Sequence, residues 1–75
     1  MSIATNIKTI RQMRGMSQED LANVMGVTQE YISIYESGKR IPKEKTLQKI
    51  ADGLGVSVGL LKAKTLEVTA RAKNI

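Results

Sequence analysis

Glycines divide this chain of 75 residues into short segments, and their positions constrain its fold more than any other feature. Four of the six glycines fall where an apolar pattern of helical spacing stops, so each of these four is expected to end a helix. These four stops are Gly15, Gly26, Gly38 and Gly55. A hydroxyl residue that can cap a helix follows three of them. These caps are Ser17, Thr28 and Ser57, while Thr5 or Ser2 can cap the first helix. The sequence therefore predicts an all-α chain of short helices.

These glycine stops and capping residues predict five helices. The first carries apolar residues from Ile3 to Met13, the second begins at Gln18, and the third occupies about residues 28–37. Because only two residues separate Gly26 from the third helix, the second and third helices must cross sharply. A basic loop, residues 39–42, ends in Pro42, which prevents the third helix from continuing. The last two helices are marked by Leu47, Ile50, Ala51 and Leu54, and by Val58, Leu60 and Leu61.

The residue composition limits the chemistry that is open to this chain. Seventy-five residues make at most one domain, with little room for an elaborate active site. The chain has no cysteine and no histidine, so it has neither a thiolate nor an imidazole ligand for a metal. No metal, no other cofactor and no enzymatic activity are therefore expected. No apolar segment is long enough to be a signal or a membrane span, which predicts a soluble, cytoplasmic protein.

The end of the chain has a different pattern. From residue 65 onward, apolar and polar residues alternate with a period of two, as in a strand with one exposed side. The apolar positions are Leu66, Val68, Ala70 and Ala72. Two alanines make a weak strand, so a loosely ordered end fits the pattern equally well. A lone strand needs a pairing partner, and a second copy of the chain is the nearest candidate.

The most informative unit lies between Gln18 and Ser37. Counted from Gln18, the fifth residue is small, the ninth is a glycine, and the fifteenth and eighteenth are large residues suited to the core. These residues are Ala22, Gly26, Ile32 and Tyr35. The small residue permits close helix packing, the glycine turns the chain, and the last two seat the following helix on the core. This spacing predicts a helix-turn-helix, in which the second helix enters the major groove of DNA.

Two strings make the chain resemble the phage repressor and Cro-like family, also called the xenobiotic-response-element family. They are SQEDLANVMGVTQEYISIYESGKRIP and TLQKIADGLGVS, and the resemblance covers about Ile3 to Leu61. It implies a compact five-helix lambda-repressor-like domain, which would occupy residues 1–62. Residues 63–75 would form a short tail that, by the alternating pattern described above, either dimerises or is disordered. It also implies a bacterial or phage-encoded, nucleoid-associated regulator of transcription, such as a repressor. Such proteins usually act as homodimers on palindromic double-stranded DNA operators.

The resemblance also assigns roles to individual residues. The expected base contacts are Thr28, Gln29, Glu30, Ser33 and Ile34. The expected phosphate contacts are Gln18, Tyr31, Lys39, Arg40 and Lys43, although Tyr31 can equally pack beside the core. A structural ion pair is expected between Arg11 and Glu36. Chemically, Gln29 can bond adenine N6 and N7 together, Glu30 can accept from cytosine N4, and Ile34 can meet a thymine methyl.

Charge is unevenly distributed along the chain, whose formal net charge is +5. Residues 17–38 carry four acidic side chains and no basic one, whereas residues 39–49 carry five basic side chains and one acidic. The helix that reads bases is thus not the source of affinity. We expect affinity to come from the basic segment, while the third helix selects the sequence.

Other functions fit some of these features. A protein-interaction module, such as an antitoxin that binds a toxin and regulates its own synthesis, could use the apolar side of the tail together with Val56, Val58 or Leu60. RNA binding is poorly supported, because two tyrosines are the whole aromatic content and provide no stacking platform. An enzyme is disfavoured, since the adjacent acids Glu19 and Asp20 stand at a helix start, where the helix dipole accounts for them.

Overall fold

This computed structural model describes residues 2–63, which contain five α helices. They are α1 Ile3–Met13, α2 Gln18–Met25, α3 Gln29–Glu36, α4 Glu44–Leu54 and α5 Val58–Leu61. The predicted all-α, five-helix fold is confirmed over these residues. The expectations for a strand, a dimerising segment or disorder in the tail fall on residues 64–75 and lie outside the described residues.

The predicted caps begin four of the five helices. The side chain of Ser2, and not that of Thr5, caps α1 by accepting from the backbone N–H of Thr5. The hydroxyls of Thr28 and Ser57 cap α3 and α5 in the same way. In α2 the cap is reciprocal: the N–H of Asp20 donates to Ser17 Oγ, and the N–H of Ser17 donates to the Asp20 carboxylate. Each cap satisfies a backbone donor that a helix start leaves free.

A left-handed glycine makes the turn between α2 and α3. Gly26 has φ +72°, and an added Cβ would meet nothing within 4 Å. Glycine is therefore needed here for its backbone conformation and not for space. The N–H of the next residue, Val27, donates to the carbonyl of Ala22 at 2.9 Å, which closes the end of α2. This turn sets the angle at which α3 leaves α2.

The core lies where α2 and α3 pack against α1 and α4. Its fully or almost fully buried apolar residues are Ile7, Ile10, Leu21, Ala22, Ile32, Tyr35, Leu47, Ile50, Ala51, Leu54 and Leu61. The helices α2 and α4 approach closely at Gly53, where an added Cβ would lie 2.8 Å from Cγ of Met25. The residues Val56, Val58 and Leu60 are partly buried against this core.

Asn6 fastens the end of α5 to α1. This fully buried side chain donates through Nδ2 to the carbonyls of Leu61, at 2.9 Å, and Ala63, at 2.7 Å. Leu61 is the last residue of α5 and Ala63 lies two residues beyond it, so the buried amide gives a donor to two carbonyls that the helix end leaves without one. Among residues 2–63, no helix has the length and apolar character that crossing a membrane requires.

Candidate nucleic-acid interface

The first two turns of α3 expose a row of polar side chains. Thr28, Gln29, Glu30 and Ser33 are exposed, while Ile34 is half-buried. Residues four apart lie on the same side of a helix, so Ser33 stands above Gln29 and Ile34 above Glu30. The opposite side of α3 is held in the core by Ile32 and Tyr35. All five residues expected to contact bases therefore lie at or beside one accessible face, with Ile34 the least accessible of them.

Tyr31 packs beside the core, which is one of the two roles the sequence left open. Its ring is half-buried and meets the ring of Tyr35 edge to face, with centroids 5.1 Å apart and planes inclined at 65°. Such edge-to-face pairs are favourable beyond the area they bury. The ring therefore helps to seat α3, and a phosphate contact by its hydroxyl remains a prediction.

Arg11 and Glu36 form a buried ion pair that joins α1 to the end of α3. Arg11 donates through Nε to Glu36 Oε2 at 2.6 Å and through Nη2 to Oε1 at 3.0 Å. Its Nη1 donates to the carbonyl of Met16 at 2.6 Å. The two side chains are only 8% and 3% exposed. The hydrogen bond to Glu36 raises the pKa of the Arg11 guanidinium despite the opposing effect of burial.

Two glutamine amides extend this ion pair toward the exposed face of α3. Gln18 Nε2 donates to Glu36 Oε1 at 3.1 Å, and Gln29 Nε2 donates to Gln18 Oε1 at 3.3 Å. The first residues of α2 and α3 are thus connected through side chains. Sequence reasoning placed Gln18 and Gln29 separately in the site but did not connect them, because side-chain contacts between helices leave no local pattern.

A polar recess adjoins this network. It measures about 160 Å³ and is lined by Lys8, Gln18, Ser33, Glu36 and Ser37. Lys8 and Ser37 were not among the predicted site residues. One signal could have found Lys8: it precedes Arg11 by three residues, so both lie on the side of α1 that meets α3. The recess brings one ammonium, one carboxylate, two hydroxyls and one amide together beside α3.

The basic loop follows α3 directly. Lys39, Arg40 and Lys43 are all exposed, and Lys43 begins α4 without a side-chain cap. Positive charge just beyond α3 also suits the negative end of its dipole. Between these charges, Pro42 is buried and anchors the loop, whereas Ile41 is 76% exposed. The three predicted phosphate contacts of the loop therefore stand free to meet an anion.

The acidic residues at the start of α2 have a structural role. Asp20 accepts the N–H of Ser17 at 2.9 Å, and this bond and the one with the Ser17 hydroxyl lower the pKa of the Asp20 carboxyl. The adjacent acid, Glu19, is exposed in the first turn. Within residues 2–63, no three His, Cys, Asp or Glu side chains are grouped as metal ligands.

Comparisons with known proteins agree with this geometry. Residues 7–61 match the model of the helix-turn-helix family. The chain is 36% identical over 55 residues to an uncharacterized HTH-type transcriptional regulator, y4dJ, of Sinorhizobium fredii, covering 73% of this chain and 71% of that protein. It is 40% identical over 55 residues to the SPbeta prophage-derived uncharacterized HTH-type transcriptional regulator YonR of Bacillus subtilis, covering 73% of this chain and 51% of that one.

A solved structure shares the fold. The crystal structure of the hypothetical transcription factor NHTF from Neisseria matches with a TM-score of 0.79 and 29% identity. The match covers 97% of this chain and 80% of that chain. The chain thus spans most of one solved relative and about half the length of the prophage-derived one.

Proposed function

This chain belongs to the helix-turn-helix family of transcriptional regulators, of the Cro/C1 type, and we propose that it binds double-stranded DNA sequence-specifically, as a homodimer on a palindromic operator. Membership of a family of transcription regulators also confirms the prediction that the chain is not an enzyme. The observation that carries the proposal is the polar, accessible N-terminal half of α3, bordered by a basic loop and held rigidly on the core.

The base contacts follow from the chemistry of the exposed face of α3. Gln29 offers a donor and an acceptor to adenine, and Glu30 offers an acceptor to the amino group of cytosine. Ile34 keeps enough exposure to touch a thymine methyl. Thr28 and Ser33 complete the row, although the Thr28 oxygen also accepts from the N–H of Tyr31 as a helix cap. Its hydroxyl hydrogen stays available for a base or a phosphate.

The phosphate contacts surround this row of base-reading residues. Gln18 is the first residue of α2, and Tyr31 lies in α3 among the residues proposed to read bases. Positive charge beyond the end of α3 comes from Lys39, Arg40 and Lys43. We add Lys8 and Ser37, which line a recess beside Gln18 together with the Arg11-paired carboxylate of Glu36. These contacts fix the protein on the duplex, whereas the α3 residues select the sequence.

The size of the reading helix supports the proposed homodimer. Eight residues of α helix span about 12 Å, which faces only about four base pairs. Two copies related by a two-fold axis read two half-sites and so double the sequence information. We propose residues 1–62 as the DNA-binding domain, with the fifth helix, the tail of residues 63–75 or both joining the two copies. Localisation with the bacterial or phage genome follows from DNA binding.

A gel-shift titration at two salt concentrations tests the proposal. The protein is mixed with duplex DNA and, separately, with single-stranded RNA of equal length. We expect duplex DNA to bind more tightly and its affinity to fall steeply as salt rises, because counterions are released from the phosphates. Absence of duplex binding at low salt, or tighter binding to the RNA, contradicts the proposed function.

A further inference from the structure

We propose that the segment following α5 seats Leu66 in an apolar recess at the start of α1 and pairs Glu67 with Arg40 at the rim of that recess. The tail then competes with DNA for this arginine. The competition rests on the proposed function, since it concerns a phosphate contact, whereas the seating of Leu66 does not. Residues 64–75 lie outside the described residues, and the support comes from the described recess and from the position of Ala63 beside it.

The recess lies between the N-terminal end of α1 and the loop that follows α3. It measures about 230 Å³, and its walls include Ile3, the ring of Tyr35, Ile41 and Pro42. At this site Ile41 is 76% exposed. Pockets for small molecules are usually larger, about 300–1,000 Å³, so this recess suits an inserted aliphatic side chain better than a free ligand.

The described chain ends on the side of α1 that leads to the recess. Nδ2 of the buried Asn6 donates to the carbonyl of Ala63 at 2.7 Å, which holds this end of the chain against α1. Ser2 lines the recess and precedes Asn6 by four residues, so both lie on the same side of α1, about 6 Å apart along its axis. Three extended residues span about 10 Å, so Leu66 can reach the recess from Ala63.

A salt bridge holds the same end of the chain from another side. Lys62 Nζ lies 2.7 Å from Glu44 Oε1, in the first turn of α4. Glu44 follows Pro42, a wall of the recess, by two residues. The exit from α5 is thus tied both to α1 and to the start of α4, and the recess adjoins each of these two points.

The sequence after Ala63 matches the recess in both polarity and charge. Leu66 is the first large apolar residue after α5, and Glu67 is the only acidic residue beyond Asp52. Arg40 lines the recess and is exposed, and no acidic side chain among residues 2–63 forms a salt bridge with it. Adjacent residues of an extended chain point to opposite sides, so Glu67 points out of the recess, toward its rim, when Leu66 points in.

Pairing with Glu67 would give the tail control over DNA binding. Arg40 cannot contact a phosphate while Glu67 holds it, so the free energy of the pair is subtracted from the affinity for DNA. An exposed ion pair is weak, which makes this a moderate and reversible inhibition and not a block. Seating uses Leu66 and Glu67 only, so the apolar residues from Val68 onward stay available to join two copies.

Nuclear Overhauser effects in the full chain test the seating of Leu66 without DNA. We expect contacts between the Leu66 methyl groups and the ring protons of Tyr35, which lines the recess. Leu66→Ser should move the methyl signals of Ile41, whereas Val68→Ser, two residues further on, should leave them unchanged. Absence of any contact between Leu66 and Tyr35 overturns the proposal. Contacts that arise only between differently labelled copies also overturn it, because the tail of a partner then fills the recess.

Binding to duplex DNA tests whether Glu67 competes for Arg40. Gel-shift affinities are measured for the wild type, Glu67→Gln, Arg40→Ala and the double variant. Removal of an acidic group raises the affinity for DNA wherever the group lies, so the informative quantity is the difference between the two backgrounds. We expect the gain from Glu67→Gln to be roughly twofold to fivefold larger when Arg40 is present. An equal gain with and without Arg40 refutes the competition.

The two measurements separate this proposal from the proposed function. If the wild type binds duplex DNA but shows no contact between Leu66 and Tyr35, the proposed function stands and the seating of the tail is rejected. If the contact is present but duplex DNA is not bound, the proposed function is rejected and the seating stands. A cooperative thermal transition in every variant excludes loss of the fold as the cause.

Discussion

The Glu36 side chain is only 3% exposed, and Arg11 is its partner in an ion pair. Removing one member of a buried ion pair leaves the other uncompensated. We therefore expect Glu36→Ala to lower the free energy of unfolding by about 3–5 kcal/mol in urea titrations, because Arg11 stays buried. The exposed acid Glu19 is the control, and Glu19→Ala should cost no more than about 1 kcal/mol. Equal, small losses in both variants would show that the pair does not hold α1 to α3.

Gln29 should control a single base position. The change Gln29→Ala removes the paired donor and acceptor that match adenine, so we expect a loss of about 1–3 kcal/mol in discrimination at that position alone. Competition binding with duplexes that differ at one base pair measures this loss. Gln12→Ala, which shortens an exposed glutamine of α1, should change nothing. A loss spread evenly over all sequences would assign Gln29 to a phosphate.

At the scale of the helix, the reciprocal cap of α2 gives stability a dependence on pH. The folded state lowers the pKa of Asp20, so this carboxylate stabilises the fold above the pKa it has in the unfolded chain, about 3.9. The contribution is lost as the pH falls through the lowered folded value. We expect the melting temperatures of wild type and Asp20→Asn to differ most near neutral pH and to converge in acid. A difference that stays constant from pH 7 to pH 2 would contradict this cap's electrostatic role.

The loop between α3 and α4 should provide affinity without selectivity. Replacing Lys39 and Arg40 together by alanine is expected to weaken all duplexes alike and to reduce the salt slope by about two. Arg14 is the control, since it lies against Gly55 at the opposite end of α4 from Lys43. Its replacement by alanine should leave the slope nearly unchanged. A loss confined to one operator sequence would move Lys39 and Arg40 into the base-reading group.

Helices and caps were predictable because their signals are local. Gly26, Ser17 and Thr28 each act on the turn in which they stand, so the sequence placed α2 and α3 within a residue or two. The role of Asn6 was not predictable, since its partners are the carbonyls of Leu61 and Ala63, far away in the chain. The Gln18 and Gln29 contacts were missed for the same reason. The local sequence pattern therefore predicts the helices and their caps. The contacts between helices depend on how the helices pack, which the local pattern does not contain.

For the whole molecule, the proposed function assigns the selection of sequence and the attraction to phosphates to different parts of the chain. Residues 17–38 hold four acidic side chains and no basic one, so the reading unit itself repels a phosphate backbone. The positive charge stands around it, in Lys8 on α1 and in the loop from Lys39 to Lys43. Under the proposed function, such a division should make complexes with wrong sequences dissociate easily, because the residues proposed to choose the base add little attraction of their own.

Selection of binding sites from random duplex DNA tests the central claim most directly. A sequence-specific homodimer should enrich a palindrome whose two half-sites lie about one helical turn, 34–36 Å, apart. Each half-site should contain an adenine whose preference disappears in Gln29→Ala. If repeated rounds of selection enrich no sequence over the starting library, the chain is not a sequence-specific DNA-binding protein, and a single asymmetric site would contradict the symmetric dimer.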